Sequence, residues 1–185
     1  MPQLTYRDAI TRGLREALEQ NPKVFLMGED IGAYGGAYAV TKGFLKEYGP
    51  KRVRDTPISE SVIVGSGIGA AMAGLRPVVE IMTINFSLLA MDQIVNHAAK
   101  VHSMSGGQLK SPLVIRTVTG GGAGLGATHS QTLEGWYASV PGIKVAVPAT
   151  PYDALGLLRS CMKDQNTVLF CEHALLYGTR GRRHL

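Results

Sequence analysis

Residues 55–79 read DTPISESVIVGSGIGAAMAGLRPVV. After its first residue this stretch contains a single acid, Glu60, which is followed by a run of very small side chains. Ser59 is a favourable residue for the start of a helix, and glycine and alanine let a helix lie close to another backbone. The stretch therefore predicts a tightly packed helix over 60–74 with a lone carboxylate in its first turn.

Helical and strand patterns alternate on both sides of this stretch. Thr5 precedes the first helical pattern, and Asp8 completes a capping box. Apolar strand patterns occupy 24–28, 52–56, 76–82, 112–118, 143–149 and 167–173. Further helical patterns lie at 41–48, 60–74, 87–104, around Trp136 and at 151–163. Continuously apolar strands alternating with helices predict a three-layer α/β fold, with a mainly parallel sheet and helices on both faces.

Size, composition and charge limit the class of protein. The chain has 185 residues, of which 45% are hydrophobic and 18% charged, and its formal net charge is +5. This is enough for a hydrophobic core, and residues 1–185 are expected to form a single domain. Arg180, Arg182 and Arg183 make the end basic, but the interleaved basic and aromatic residues of a nucleic-acid-binding surface do not accompany them. We therefore expect no nucleic-acid partner.

Cysteine content and targeting patterns favour the cytoplasm. The chain has 2 cysteines and no C-x-x-C motif, as is usual in a reducing compartment. The first residues, MPQLTYRDAI, have neither an apolar signal core nor a transit pattern rich in Arg and Ser. The longest uncharged run, 61–75, is too short and too rich in glycine to span a membrane. We therefore expect a cytoplasmic location and no membrane partner.

Chemically useful side chains follow four of the predicted strands. Glu29, Glu60, Phe86 and His129 each lie in a connection after a strand. Ligands of open parallel sheets bind beyond the carboxyl ends of the strands, so these side chains would share one edge. Two alternatives stay open on position alone. Glu60 would stabilise the helix dipole by about 0.3–1 kcal/mol, and His129 would be a surface or capping histidine.

Shorter motifs are less specific. Residues 65–70, GSGIGA, fit the G-x-G-x-x-A pattern, which leaves a nucleotide-binding dehydrogenase as an alternative. However, these glycines lie inside a predicted helix rather than in a strand-to-helix turn, and the next acid, Glu80, lies in a strand. No His, Cys, Asp and Glu cluster has metal-ligand spacing, and neither a P-loop nor a G-x-S-x-G motif is present.

Longer motifs occur along the chain in a familiar order. Besides DTPISES they are GED (28–30), GAYGGAY (32–38), GAAMAGLRPVVEIMTINF (69–86), MDQIVNHAAK (91–100), SGGQ (105–108), THSQ (128–131), PGIKVAVPATPYDALGLL (141–158) and LLYG (175–178). Together they resemble the β subunit of thiamine-diphosphate-dependent 2-oxo acid dehydrogenases, above all the decarboxylating component of pyruvate dehydrogenase. The resemblance runs from about residue 4 to residue 178.

The resemblance implies a transketolase-like pyrimidine-binding domain in an enzyme that oxidatively decarboxylates a 2-oxo acid and transfers the acyl group to lipoyl groups. The cofactor, thiamine diphosphate, would lie between two subunits, with its diphosphate and Mg²⁺ held by an α subunit. The implied partners are this α subunit in an α2β2 assembly, a second β chain and a lipoyl acyltransferase. Family β subunits continue into a second domain, which we expect to be absent here, so the isolated chain is expected to be inactive.

The resemblance leaves the substrate open. Branched-chain 2-oxo acid and acetoin dehydrogenases are related to the pyruvate group, although residues 83–93, TINFSLLAMDQ, look more like the pyruvate group. A non-catalytic assembly module of the same fold is a further alternative, which the missing second domain favours.

Site residues follow from the same resemblance. Glu60 matches the glutamate that hydrogen-bonds a ring nitrogen of the cofactor's pyrimidine and so promotes proton removal from the reactive carbon. A desolvated glutamate suits this role because it holds and shares a proton. Phe86 matches the aromatic residue that stacks on the pyrimidine, and Ile58 and Met82 are expected as its apolar neighbours.

Three further roles are implied in the same way. His129 matches a histidine that faces the substrate and the lipoyl group, and Glu29 matches an acid of an interfacial proton relay. Some relatives carry a polar residue in that relay where this chain has Leu89. Some members also bind K⁺ through backbone oxygens, and the matching residues here are Leu113, Cys161, Asp164 and Asn166.

Overall fold

A parallel sheet of six strands forms the middle layer of the computed structural model, which describes residues 3–122 and 124–182. In spatial order the strands are β3 (Val53–Asp55), β2 (Val24–Gly28), β4 (Arg76–Ile81), β5 (Val114–Thr119), β7 (Val168–His173) and β6 (Lys144–Ala146). Each is parallel to its neighbours. The prediction of a three-layer α/β fold is confirmed.

Helices cover both faces of this sheet. The α-helices are α1 (Tyr6–Gln20), α2 (Phe44–Tyr48), α3 (Glu60–Met72), α4 (Val101–Met104), α5 (Glu134–Ala138) and α6 (Pro151–Cys161). Short 3-10 turns span Ile84–Ala90, Ala127–His129 and Ala174–Leu176, and Gln93–Ala98 forms a π-helix. No helix within the described ranges combines the length and apolarity needed to cross a membrane.

The sheet separates two hydrophobic cores. One core contains buried side chains of α1, α2 and α6, with Ile10, Phe44 and Leu158 fully buried. The other contains α3, α5 and the 3-10 and π segments that follow β4, and Val64 and Tyr137 lie at its centre. Because the sheet is covered on both sides, only its edges and strand ends remain available for ligands.

Two predicted helices are shorter or less regular than expected. The helix expected from Thr41 begins at Phe44, because Gly43 has φ 87° and cannot extend a right-handed helix. The helix expected over 87–104 is broken into the 3-10, π and α segments. Here the hydroxyl of Ser87 lies 2.6 Å from the carbonyl oxygen of Ile84 and 2.6 Å from the hydroxyl of Tyr137, which favours a tighter turn.

The ends of the described chain form a second sheet that the sequence did not indicate. Strand β1 (Gln3–Thr5) pairs antiparallel with β8 (Arg180–Arg182). Part of the basic tail therefore has regular structure, whereas residues 183–185 lie outside the described residues. The expected capping box of Thr5 and Asp8 is present at the start of α1, and Thr150 forms another at α6.

Candidate active site

The predicted site residues follow four adjacent strands of the sheet. Glu60 comes after β3, Glu29 after β2, Phe86 after β4 and His129 after β5. These strands lie side by side in the order β3-β2-β4-β5 and are parallel, so their carboxyl ends form one edge. The topology therefore brings the four residues to the same rim of the fold.

Glu60 is the first residue of α3 and is only 4% exposed. Ser59 occupies the N-cap position, as expected, but its side chain makes no capping hydrogen bond. Instead its carbonyl accepts a 2.9 Å hydrogen bond from the N–H of Ile63, and its own N–H lies close enough to the carboxylate of Glu29 to lower the pKa of that acid. The start of α3 therefore connects the two acidic residues of the rim.

Glu29 is a second buried acid, 8% exposed, beside Glu60. Burial and the nearby charges of Glu60 and Asp30 raise its pKa, against the opposing effect of the N–H of Ser59. Its Oε1 has no hydrogen-bond partner within the described part of the chain. Such a carboxyl group retains a proton more readily than an exposed one.

Asp55, the first residue of DTPISES, holds the loop that contains Glu29. Its carboxylate accepts hydrogen bonds of 2.5 Å and 3.0 Å from the backbone N–H groups of Gly32 and Ala33. Strand β3 thus fixes the chain that leaves β2, and Asp55 acts on the site by positioning this loop. The sequence did not indicate this role, because the contact joins residues 22 and 23 positions apart.

Phe86 and His129 form an aromatic pair. Their ring centroids are 5.1 Å apart at an interplanar angle of 88°. Phe86 is half-buried, whereas His129 is exposed. The side-chain oxygen of Asn85 accepts a 3.1 Å hydrogen bond from the N–H of Gln131, which ties the loop of His129 to the end of β4. The imidazole is therefore accessible and has a defined neighbour.

The two apolar side chains expected beside Phe86 differ in their exposure. Met82 is half-buried directly after β4, whereas the side chain of Ile58 is 82% exposed. Val62 and Leu89 are also exposed, by 62% and 65%. Exposed apolar side chains next to a buried acid are typical of a surface that a ligand or a partner covers.

The residues named for K⁺ lie around the end of α6. The carbonyl oxygens of Leu113, Cys161 and Asp164 accept hydrogen bonds from Val168 N–H at 2.9 Å, Asp164 N–H at 3.2 Å and Arg76 Nη1 at 2.5 Å, respectively. Each of these three carbonyl oxygens keeps a second lone pair that can bind a cation. The guanidinium of Arg76 opposes such a cation.

Other metal sites are not indicated. Within 3–122 and 124–182, no group of three or more His, Cys, Asp or Glu side chains lies close enough to hold a metal ion.

The prediction of continuously apolar strands is wrong at three buried positions, each of which carries a charged residue. Glu80, Arg116 and Glu172 are buried in β4, β5 and β7. Arg116 contacts both acids, so their charges are partly compensated within the sheet. In the sequence, this cluster was indicated by one charged residue inside each of three otherwise apolar strands. Which of these residues form ion pairs depends on the order of the strands in the sheet.

Comparison with known families agrees with this fold. The family model described as "Transketolase, pyrimidine binding domain" matches residues 2–179. A solved structure titled "Split gene transketolase, inactive beta4 tetramer" superposes with a TM-score of 0.73 at 19% identity, covering 92% of this chain and 51% of that one. At this identity the structural likeness supports the fold.

Curated relatives are more similar in sequence. The chain is 53% identical over 176 residues to pyruvate dehydrogenase E1 component subunit beta-1, mitochondrial, of Arabidopsis thaliana, and 51% identical to the mitochondrial subunit beta of Homo sapiens. These matches cover 95% of this chain, and 48% and 49% of the relatives. The subunit beta of Rhizobium meliloti is 49% identical over 96% of this chain and 39% of that protein. The chain spans about half the length, or less, of these relatives and belongs to the family of transketolase pyrimidine-binding domains.

Proposed function

We propose that this chain is the pyrimidine-binding part of the β subunit of a thiamine-diphosphate-dependent dehydrogenase of the pyruvate type. The observation that carries the proposal is the burial of Glu60 at the rim of the sheet, beside a second acid and below exposed apolar side chains. Identity of 53% and 51% to pyruvate dehydrogenase β subunits supports pyruvate rather than another 2-oxo acid as the substrate.

The rim fits the pyrimidine end of the cofactor. The buried carboxyl group of Glu60 would hydrogen-bond a ring nitrogen of the pyrimidine. The half-buried ring of Phe86 would stack on the heterocycle, and Ile58 and Met82 would exclude water around it. The unpaired Oε1 of Glu29 supports this assignment, because a buried polar atom without a partner often marks a functional site.

Thiamine diphosphate, when bound, supplies the nucleophilic carbon and the electron sink for decarboxylation of a 2-oxo acid. Glu60 would hold a proton at the pyrimidine nitrogen, and Glu29, the buried acid beside it, would receive or return that proton. His129, exposed at the same rim, orients the substrate and donates a proton during transfer to the lipoyl group.

The proposed partners would supply the binding groups and the acyl acceptor that the reaction needs besides this chain. An α subunit would supply the binding groups for the diphosphate and Mg²⁺ in an α2β2 assembly, in which two β chains also associate. Ile58 and Val62, two residues before and two residues after Glu60, are exposed, as is Leu89 in the 3-10 segment that packs against α3, and these side chains support a contact of this kind. A lipoyl acyltransferase would receive the acyl group. We assign K⁺ to the carbonyl oxygens of Leu113, Cys161, Asp164 and Asn166.

We also propose a cytoplasmic location, which fractionation of the source cells would test. The relatives do not support it, since several carry "mitochondrial" in their names.

The function is tested with the chain together with its proposed α subunit. We expect Glu60→Gln to lower kcat for pyruvate decarboxylation by about 10²–10⁴-fold, because general acid–base catalysis contributes that much. Glu19→Gln, which makes the same change at an exposed position of α1, should keep full activity. Full activity of Glu60→Gln would contradict the role given to Glu60.

Calorimetric titration of thiamine diphosphate, with and without the α subunit, distinguishes the classes of function. Binding that requires the α subunit supports the proposal. Binding in neither case would instead favour a non-catalytic assembly module. Comparing kcat/KM for pyruvate and a branched-chain 2-oxo acid identifies the substrate.

A further inference from the structure

The glycine-rich loop that carries His129 leaves the sheet beside the last residue of a neighbouring strand. Thr119, which ends β5, pairs in register with His173, which ends β7. The chain continues from Thr119 to Gly120, and both Gly120 and His173 are half-buried. The loop of His129 therefore begins next to a second histidine.

The ring of His173 occupies the space that a side chain at position 120 would need. Gly120 has φ 95°, and a methyl group there would lie 2.7 Å from Cε1 and 2.8 Å from Cδ2 of His173, and closer still to Nε2. Because glycine has no Cβ, the backbone at Gly120 can lie directly on the imidazole. The contact therefore joins the ring to the backbone of the loop.

A hydrogen bond restricts rotation of the imidazole away from the loop. Nδ1 of His173 accepts this bond from the backbone N–H of Leu175 at 3.3 Å. Leu175 also lies against the loop, since a methyl group at Gly122 would lie 2.9 Å from its Cδ1. His173 and Leu175 thus support the loop at two points, Gly120 and Gly122.

The far end of the loop is anchored as well. The hydroxyl of Thr119 donates a 2.6 Å hydrogen bond to Oε2 of Glu134, which joins the last residue of β5 to the first residue of α5. Between these supports, methyl groups at Gly124 and Gly126 would meet no atom within 4 Å. The contacts at the two ends of the loop therefore determine where His129 lies.

We propose that His173 is a positioning residue for His129. Its ring holds the start of the loop and thereby keeps the imidazole of His129 beside Phe86, with 5.1 Å between the ring centroids. His173 acts through the loop and has no assigned contact with the substrate. The importance of His129 for acyl transfer rests on the proposed function, whereas the contact of His173 with the loop does not.

A double-mutant cycle tests the contact between His173 and Gly120. In the parent chain, Gly120→Ala adds a methyl group that meets the ring, whereas in His173→Ala the ring is gone. We therefore expect Gly120→Ala to lower the melting temperature more in the parent than in His173→Ala. The positive φ disfavours alanine equally in both backgrounds, so this cost cancels in the cycle. Equal losses in the two backgrounds would overturn the contact.

Gly126→Ala is the matched control for this cycle. Gly126 has φ 89°, close to that of Gly120, but a methyl group there would meet no atom within 4 Å. Its effect on the melting temperature should therefore be the same in the parent and in His173→Ala. A difference as large as that at Gly120 would overturn the proposal, because it would show that His173 affects the whole loop without a specific contact.

The position of His129 is measured by NMR of the chain. Rings whose centroids are 5.1 Å apart should give NOE cross-peaks between the protons of His129 and Phe86, assigned by their loss in His129→Gln. We expect His173→Ala to weaken these cross-peaks. His97→Ala removes an exposed histidine of the π-helix and should preserve them. Unchanged cross-peaks in His173→Ala, or equal weakening in both variants, would overturn the positioning role.

His173→Asn covers the case in which His173→Ala does not fold. An asparagine side chain can accept a hydrogen bond from the backbone N–H two residues on, so this variant can keep the link to Leu175 while it lacks the ring. We expect the same weakening of the cross-peaks and the same smaller effect of Gly120→Ala. Parent-like results for both measurements would overturn the proposal.

The consequence for catalysis is measured with the α subunit and a lipoyl domain. We expect His173→Ala to slow acyl transfer to the lipoyl group by a larger factor than it slows release of CO₂. Equal slowing of both steps would overturn the positioning of His129 and indicate a general structural role. Absence of decarboxylation by the parent would remove the proposed function and leave the double-mutant cycle and the NOE result unaffected.

Discussion

At the scale of single residues, Glu29 combines burial with incomplete hydrogen bonding. Its Oε1 has no partner within the described residues, and an unsatisfied buried polar group costs roughly 1–3 kcal/mol. Its neighbour Glu60 is buried as well. Natural proteins keep such arrangements mainly where function requires them, and a pair of coupled carboxyl groups is suited to holding and moving a proton.

The pKa of Glu29 predicts how stability depends on pH. Burial and the charge of Glu60 raise this pKa in the folded chain, so the folded state binds more protons than the unfolded state between the two pKa values. The free energy of unfolding therefore decreases as pH rises from the unfolded value, about 4.3, through the folded pKa. Glu29→Gln has no carboxyl group at this position and therefore lacks this decrease. We expect the free energy of unfolding of Glu29→Gln minus that of the parent to increase between about pH 4, near the unfolded pKa, and about pH 7.

Urea unfolding of both chains at several pH values measures this difference. Glu19→Gln, at an exposed position of α1, should show no comparable trend. A difference between Glu29→Gln and the parent that stays constant with pH would mean that Glu29 titrates as it does in the unfolded chain.

At the scale of elements, two of the three glycines of α3 have opposite environments. A methyl group at Gly67 would lie 2.8 Å from Cγ1 of Val79 and 3.1 Å from Cδ1 of Leu113, and both of these side chains are fully buried. A methyl group at Gly69 would meet no atom within 4 Å. Gly67 therefore lets α3 lie directly on the sheet, which fixes the position of Glu60 at its first turn.

These environments predict different effects of the same substitution. Gly69→Ala should stabilise the isolated chain by up to about 1 kcal/mol, because alanine favours helix more than glycine. Gly67→Ala gains the same helix propensity but overpacks the core, which costs roughly 1–3 kcal/mol. We therefore expect thermal or urea unfolding to rank Gly69→Ala above Gly67→Ala. Equal stability of the two variants would show that α3 does not need this close contact.

At the scale of the whole molecule, the proposed K⁺ would join separate parts of the chain. The assigned carbonyl oxygens belong to Leu113 before β5, to Cys161 at the end of α6, and to Asp164 and Asn166 before β7. A cation that binds only the folded arrangement of these oxygens adds stability by mass action.

Thermal unfolding tests this cation. K⁺ at about 100 times its dissociation constant should add about 2.7 kcal/mol to the free energy of unfolding. We expect a higher melting temperature in potassium chloride than in choline chloride of equal ionic strength. Equal melting temperatures in the two salts would remove the K⁺ assignment and leave the roles of Glu60 and Phe86 in place.

The sequence by itself determined the order and type of most elements and the positions of the rim residues. Capping at Thr5, strand patterns and the small residues of α3 depend on neighbours close in the chain, so they can be recognised without the fold. The alternation of strands and helices then places Glu60 and His129 at the carboxyl edge of a parallel sheet.

Only the tertiary structure decided which groups share the interior. Arg116 contacts Glu80 and Glu172 across 36 and 56 positions of the chain, and Glu29 lies beside Glu60 because β2 is the neighbour of β3. The break in the predicted helix over 87–104 also depends on a distant contact, the one with Tyr137. Local sequence patterns report backbone preference, whereas desolvation and the interaction of charges depend on strand order, which no short segment contains.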